Sequence, residues 1–388
     1  MSRRVALVAA SLVVATTVAA APAAEGSRFL QRGIFDDAQI HYGNPDTVFP
    51  VLRTLRTQLI RINLVWGGAN GVAKRRPANA ANPADPAYDW SAYDRTVNYA
   101  AQYGLKVVFS IIGTPPWANS AAGVNVVPRS SLDLQRFATA AARRYNGRYP
   151  GADGRLLPAV RSWLAWNEPN NPAFLRPQYR QVAGGWVAQS PIDYAKICNA
   201  IVKGVSVTTV GASRVACGVT APRGNNNPNS DRPALSPIAF LRGMKRAGAT
   251  GFDAYAHHPY YGGPSETPSS PPPTPSRGQA PTAITLGNVD LLIREVTKLY
   301  GNKRIWITEY GYQTNPPDRI FGVTLARQAQ YVTESFGIAR RHPRIDMMLW
   351  FLLRDEARTL IEEGWQSGFL TASGTRKPSF AAFQRLAG

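Results

Sequence analysis

Residues 162–170 read Ser162-Trp163-Leu164-Ala165-Trp166-Asn167-Glu168-Pro169-Asn170. A short run dominated by large apolar side chains reads as a buried strand, and a proline disfavours helix in the residue before it, so the strand ends by presenting Glu168. A second stretch, Ile305-Trp306-Ile307-Thr308-Glu309-Tyr310-Gly311, has the same plan. Strands that are apolar throughout are covered on both faces, the condition of a parallel sheet clad in helices.

Working outward from these two stretches, alternation predicts eight strands, over 33–36, 59–66, 105–112, 162–167, 214–219, 252–257, 304–309 and 347–353. Helical patterns lie between them. Asp89 is placed to cap a helix with Tyr93 and Val97 inward that stops at Gly104. Ser131 is placed to cap another, with Leu134, Phe137, Ala141 and Tyr145 inward, that stops at Gly147. Further helices are expected over 192–205, 238–247, 289–300, 325–340 and 379–386. Eight strand and helix pairs predict an α/β fold, a closed (β/α)8 TIM barrel, with its active site where the strands end. The excess length falls in 67–88, 221–237 and 259–283, three loops that follow strands and so emerge on that catalytic face. The last holds Ser269-Ser270-Pro271-Pro272-Pro273-Thr274-Pro275, read as a mobile or polyproline loop within one barrel, with an interdomain linker as the alternative.

Arg3 and Arg4, the apolar run from Val5 to Val18, and Ala21-Pro22-Ala23 have the order of a secretory signal peptide, expected over 1–23 with the barrel domain over 27–388. The run is shorter than the ~20 apolar residues that span a bilayer. A secreted, extracellular protein without membrane association after cleavage is therefore expected, as a monomer. Cys198 and Cys217 are the two cysteines. Export favours a disulfide between them; two inert buried thiols are the alternative. The chain has 388 residues, 44% hydrophobic and 18% charged, which excludes a disordered protein. Its net charge of +20 is spread along the sequence, with only Lys74-Arg75-Arg76 compact, and no nucleic-acid motif accompanies it. No nucleic-acid partner is expected.

Strands four and seven stand across the mouth of such a barrel, so Glu168 and Glu309 can face one another. Acid and nucleophile chemistry at an acetal needs a carboxyl pair, about 5 to 5.5 Å apart if configuration is retained. Asn167-Glu168-Pro169 resembles the acid/base motif of clan A glycoside hydrolases, and Thr308-Glu309-Tyr310-Gly311 resembles their nucleophile segment. Arg61 resembles the arginine that family five places beside the nucleophile, and His258-Pro259-Tyr260 resembles its His-x-Tyr. Trp350 sits where those enzymes stack a sugar ring. Where family five carries a histidine after strand three, this chain has Thr114-Pro115-Pro116-Trp117, closer to family thirty-nine. The resemblance implies a retaining glycosidase of the cellulase-barrel type: Glu168 as acid/base, Glu309 as nucleophile, a carbohydrate substrate, and no metal or organic cofactor. Asn167, Arg61, His258, Tyr260, Trp350 and Trp117 are the candidate substrate-binding residues.

Plainer readings stand beside these. The two glutamates can be structural partners of arginine, Asn167 a turn cap, Arg61 a counter-charge for the barrel floor, and Trp350 and Trp117 core residues. Alternation sends one of His257 and His258 inward, and the H-x-Y spacing favours His258. Asp36 can face the mouth or cap a helix. Two other functions fit a barrel: carbohydrate binding without catalysis, and action on a phosphorylated metabolite, for which Gly311-Tyr312-Gln313-Thr314 is a poor phosphate loop.

Overall fold

The computed structural model describes residues 30–208, 213–273, 282–357 and 364–386. Eight parallel strands close on themselves: β1 Gln31–Phe35, β2 Leu59–Val65, β3 Lys106–Ile112, β4 Ser162–Ala165, β5 Arg214–Thr220, β6 Ala254–His257, β7 Arg304–Tyr310 and β8 Ile345–Phe351. Around the barrel each strand pairs with its neighbours in sequence, and β1 pairs with β8, Ile34 beside Trp350, to complete the ring. Closure leaves no edge strand exposed.

Each strand is followed by a helix on the outside: α1 Pro45–Thr54, α2 Ser91–Gln102, α3 Ser131–Arg144, α4 Ser190–Val205, α5 Pro237–Arg246, α6 Val289–Tyr300, α7 Leu325–Arg341 and α8 Pro378–Arg385. The barrel interior is filled by Leu59, Val108, Leu164, Ala216, Ala254, Trp306 and Leu349, among others, one or two side chains from each of β2 to β8. The larger apolar layer lies between strands and helices. This is the (β/α)8 architecture expected from alternation.

Several boundaries differ from expectation, each for a local reason. Helix α1 has no counterpart in the sequence reading, because Pro50 in its middle reads as a breaker; Asn44 caps it by accepting from Asp46 N, with Pro45 at its start. Asp89 is not the cap residue of α2, which is Trp90; its carboxylate instead accepts from Ser91 N and Ser91 Oγ, bracing the first turn from outside. Ser131 lies inside α3, capped from Ser130 without a side-chain bond. Strand β6 begins at Ala254 because Asp253 turns its carboxylate back to accept from Val215 N. Strand β8 ends at Phe351, since Leu353 N and Arg354 N donate to Asp36 Oδ2 rather than to a ladder. A small antiparallel hairpin, Tyr179–Val182 with Gly185–Ala188, lies between β4 and α4.

Cys198 on α4 and Cys217 on β5 form a disulfide, with Cα atoms 5.9 Å apart. Both sulfurs are fully buried, so the bond ties the helical layer to the barrel wall. Closing a loop of this size restricts the unfolded chain by roughly 3 kcal/mol. No helix among the described residues is long and apolar enough to cross a membrane. The expected signal segment, 1–23, lies outside the described residues, as do 274–281 of the proline-rich loop.

Candidate active site

A cavity of about 800 Å³ opens at the carboxyl ends of the strands, with Glu168 and Glu309 in its wall. Glu309 is the sixth residue of β7 and is held by the ladder itself. Glu168 is placed by different means. Strand β4 stops at Ala165, and Trp166 and Glu168 adopt positive φ of 73° and 38°. Left-handed backbone is costly for residues with side chains and survives only where the surroundings hold it. Here Ser110 Oγ donates to Trp166 O at 2.8 Å, and Glu168 N donates to Val219 O at 2.8 Å. The side chain of Asn170 clamps Ala221 N and Leu235 O. Strand β5 meets this turn halfway: Gly218 and Val219 also have positive φ, at an irregularity in the pairing of β5 with β6. A side chain at Gly218 would strike the ring of Tyr255 at 2.4 Å.

Arg61, fully buried on β2, organises the floor. Its Nη1 donates to Glu309 Oε1 at 2.7 Å and its Nη2 to Asn167 Oδ1 at 2.7 Å. That bond orients the amide of Asn167, whose Nδ2 is its donor side. Tyr260 donates its hydroxyl to the other Glu309 oxygen at 3.1 Å. His258 lies between the carboxylates, Nδ1 3.0 Å from Glu168 Oε1 and Nε2 2.9 Å from Thr308 Oγ1. Arg61 Nη1 approaches Nε2 at 3.2 Å, and a guanidinium can only donate. Nε2 therefore accepts, and the ring proton sits on Nδ1, directed at Glu168. Burial holds the imidazole neutral, its pKa lowered to about 3. His257 is turned away, bonded to Thr220 Oγ1 and Ile284 O.

The two glutamates differ in surroundings. Glu309 has a cation and a phenol on its two oxygens. Burial raises the Glu168 pKa to about 7, against the opposing pull of an Asn171 hydrogen bond and the charges of Arg61 and Arg232. Asn171 Oδ1 accepts from Ala173 N, which turns Nδ2 to Glu168 Oε2 at 3.3 Å. Glu168, His258 and Glu309 each bring one atom to a common point, all within 4.8 Å of one another. Those donors are of a kind that binds cations, yet the buried guanidinium already fills the cationic role, 2.7 Å from Glu309.

Of the expected site residues, Asn167, Glu168, Tyr260 and Glu309 line the cavity, and Arg61 and His258 bond to them from beneath. The two tryptophans do not join them. Trp350 is completely buried, donates its indole N–H to Ser367 O at 2.7 Å and stacks on Phe369, so it belongs to the core. Trp117 packs edge-on against Trp66 under the guanidinium of Arg76, away from the cavity. The tryptophan that does line the wall is Trp365, 41% exposed, which contacts Tyr260 and Phe351. It lies far beyond the end of β8 in sequence, where no strand pattern points to it. Asp36 both faces the mouth and caps the short helix Asp37–Ile40. Asp37 beside it, also in the wall, accepts from Asn63 N, and burial raises its pKa to about 7. The stretch after β7 offers no open phosphate cradle: Gln313 N donates to Tyr261 Oη and Thr314 N to Gln366 O.

No family model matches the sequence, and no curated protein matches it. Solved structures do match. A family 39 glycoside hydrolase from the gut symbiont Bacteroides cellulosilyticus WH2 superposes with a TM-score of 0.62 at 18% identity, covering 94% of this chain and 64% of its own. A glucosidase from Croceicoccus marinus gives 0.65 at 16% identity, covering 92% and 67%. A fungal β-1,4-galactanase gives 0.57 at 15% identity, covering 92% of this chain and 99% of its own. The chain thus has the fold of these glycoside hydrolases. It spans about two thirds of the length of the first two and matches the galactanase nearly end to end.

Proposed function

We propose that this protein is a secreted, retaining glycosidase that hydrolyses O-glycosidic bonds of an oligo- or polysaccharide by double displacement. The observation that carries the reading is the pair itself: two glutamates at the ends of opposite barrel strands, oxygens within 4.8 Å, in unlike surroundings. That spacing favours direct attack over the 6.5–9.5 Å that leaves room for a water between carboxyls.

Glu168, protonated up to about pH 7, is the acid. His258 donates to its Oε1 and Asn171 to its Oε2, which orient the carboxyl, and its proton passes to the departing glycosidic oxygen. Glu309, aligned by Arg61 and Tyr260, attacks the anomeric carbon and forms the glycosyl ester. Esterification removes a negative charge beside Glu168, its pKa falls, and it then takes a proton from the incoming water. Asn167 Nδ2 is available to the sugar 2-hydroxyl, and Trp365 offers an aromatic face to the ring. Residues 1–23 would direct export, in keeping with the disulfide.

Single substitutions test the roles. Proton donation typically contributes about 10² to 10⁴ in rate, and a nitrophenolate leaves without it. Glu168→Ala is expected to keep pre-steady-state glycosylation by an activated aryl glycoside and lose natural oligosaccharides. Glu309→Ala is expected to lose both, with partial rescue by azide or formate. The reverse pattern would exchange the roles, and two active variants would move the site elsewhere.

A further inference from the structure

The cavity is unevenly charged. Beyond the central pair, its carboxyls are Asp36, Asp37 and Glu356, at the ends of β1 and β8. Its arginines, Arg223 and Arg232, stand on the loop after β5, on the opposite side of the ring. Both arginines and Asn171 also line an adjoining hollow of about 500 Å³, so the cavity continues past Glu168 as a groove. An acid that protonates the departing oxygen faces the leaving group. On the reading of Glu168 as acid, the groove holds the leaving group and the carboxyl end holds the sugar that is retained.

The two arginines are not equivalent. Arg223 is engaged: Nη1 donates to Tyr260 O and Tyr261 O, and Nη2 pairs with Glu266 at 3.4 Å. Arg232 is exposed, and among the described residues its guanidinium has no carboxylate partner and donates only to Asn171 Oδ1, at 3.4 Å. An unpaired, permanently charged fork thus stands one side chain away from the acid. We infer that this groove is a leaving-group subsite for an anionic substituent, a carboxylate or a sulfate ester on the sugar next to the cleaved bond, with Arg232 as its principal ligand. Guanidinium meets either group with two parallel charge-assisted bonds. An anion at the far end would meet Asp36, Asp37 and Glu356 instead. The groove is therefore the cationic end of the cavity, and the net charge of +20 raises the local concentration of an acidic substrate.

Calorimetric titration of the intact protein with three oligosaccharides of equal length tests this: one with a uronate only at its reducing end, its carboxyl-reduced neutral form, and that neutral form sulfated on the same reducing-end sugar. The expected result is at least about tenfold tighter binding of an acidic oligomer at about 20 mM salt, shrinking toward parity near 0.5 M. The two acidic arms separate carboxylate from sulfate. Arg232→Glu is expected to abolish the advantage and Arg232→Lys to keep part of it. Equal binding of acidic and neutral oligomers by the unaltered protein, or an advantage unchanged in Arg232→Glu, would overturn the subsite. The readout needs no turnover, so the two readings fail separately. Hydrolysis without acidic preference sinks the subsite alone, whereas an Arg232-dependent preference in a protein that cleaves no glycoside sustains the anion site and sinks the glycosidase.

Discussion

Glu168 sits at positive φ, half-buried, with a pKa raised to about 7, a combination that costs stability and points to function. The folded pKa exceeds the unfolded value of 4.5, so the folded state holds this proton more tightly. The group's full contribution to stability is present below about pH 4.5 and is lost as pH rises through 7. Glu168→Gln removes the ionisable group while keeping its shape. Its melting temperature is expected to match the unaltered protein near pH 4 and to exceed it at pH 8, by the equivalent of up to about 3 kcal/mol. An equal gap at both pH values would contradict the raised pKa. Asn171 supports the ionised form through Oε2, so Asn171→Ala is expected to raise the Glu168 pKa further and move the alkaline limb of kcat/KM to higher pH. A limb that stays in place would show that the amide does not act on the acid. The placing of Glu168 and Glu309 at the cavity was legible in sequence because each follows an apolar strand; Asn171 and Trp365 were not, because their loops bring them to the cavity only after folding.

At the scale of elements, strand order and the alternation with helices could be read directly, since burial on both faces leaves a continuous apolar run. What could not be read is how the strands end. Strand β4 stops early so that a left-handed turn can aim Glu168, and β5 bends at Gly218 and Val219 to supply that turn with an acceptor. Alternation alone continues both strands. Gly218→Ala is expected to destabilise the fold by about 2 kcal/mol or more and to depress activity with it, because an added Cβ meets both a left-handed φ and the Tyr255 ring. A neutral effect in chemical denaturation would contradict the tight contact. The family resemblance placed Trp350 at the sugar, whereas the strand turns it into the core against Phe369. The bond between α4 and β5 gives a further check: titration of unfolded, unreduced protein is expected to find no free thiol, and two would refute the disulfide.

As a whole, the molecule is a barrel whose interior is apolar up to the level of Arg61 and polar above it, so the chemistry is confined to one end. In the proposed double displacement, Glu309 bonds covalently to the sugar while Glu168 moves the proton. The most direct measurement is proton NMR of the first-formed product, taken before mutarotation, on a glycoside that the protein cleaves. The new hemiacetal is expected to keep the anomeric configuration of the substrate, because two displacements at one carbon restore it. A product of inverted configuration would contradict the glycosyl-enzyme and with it the role given to Glu309.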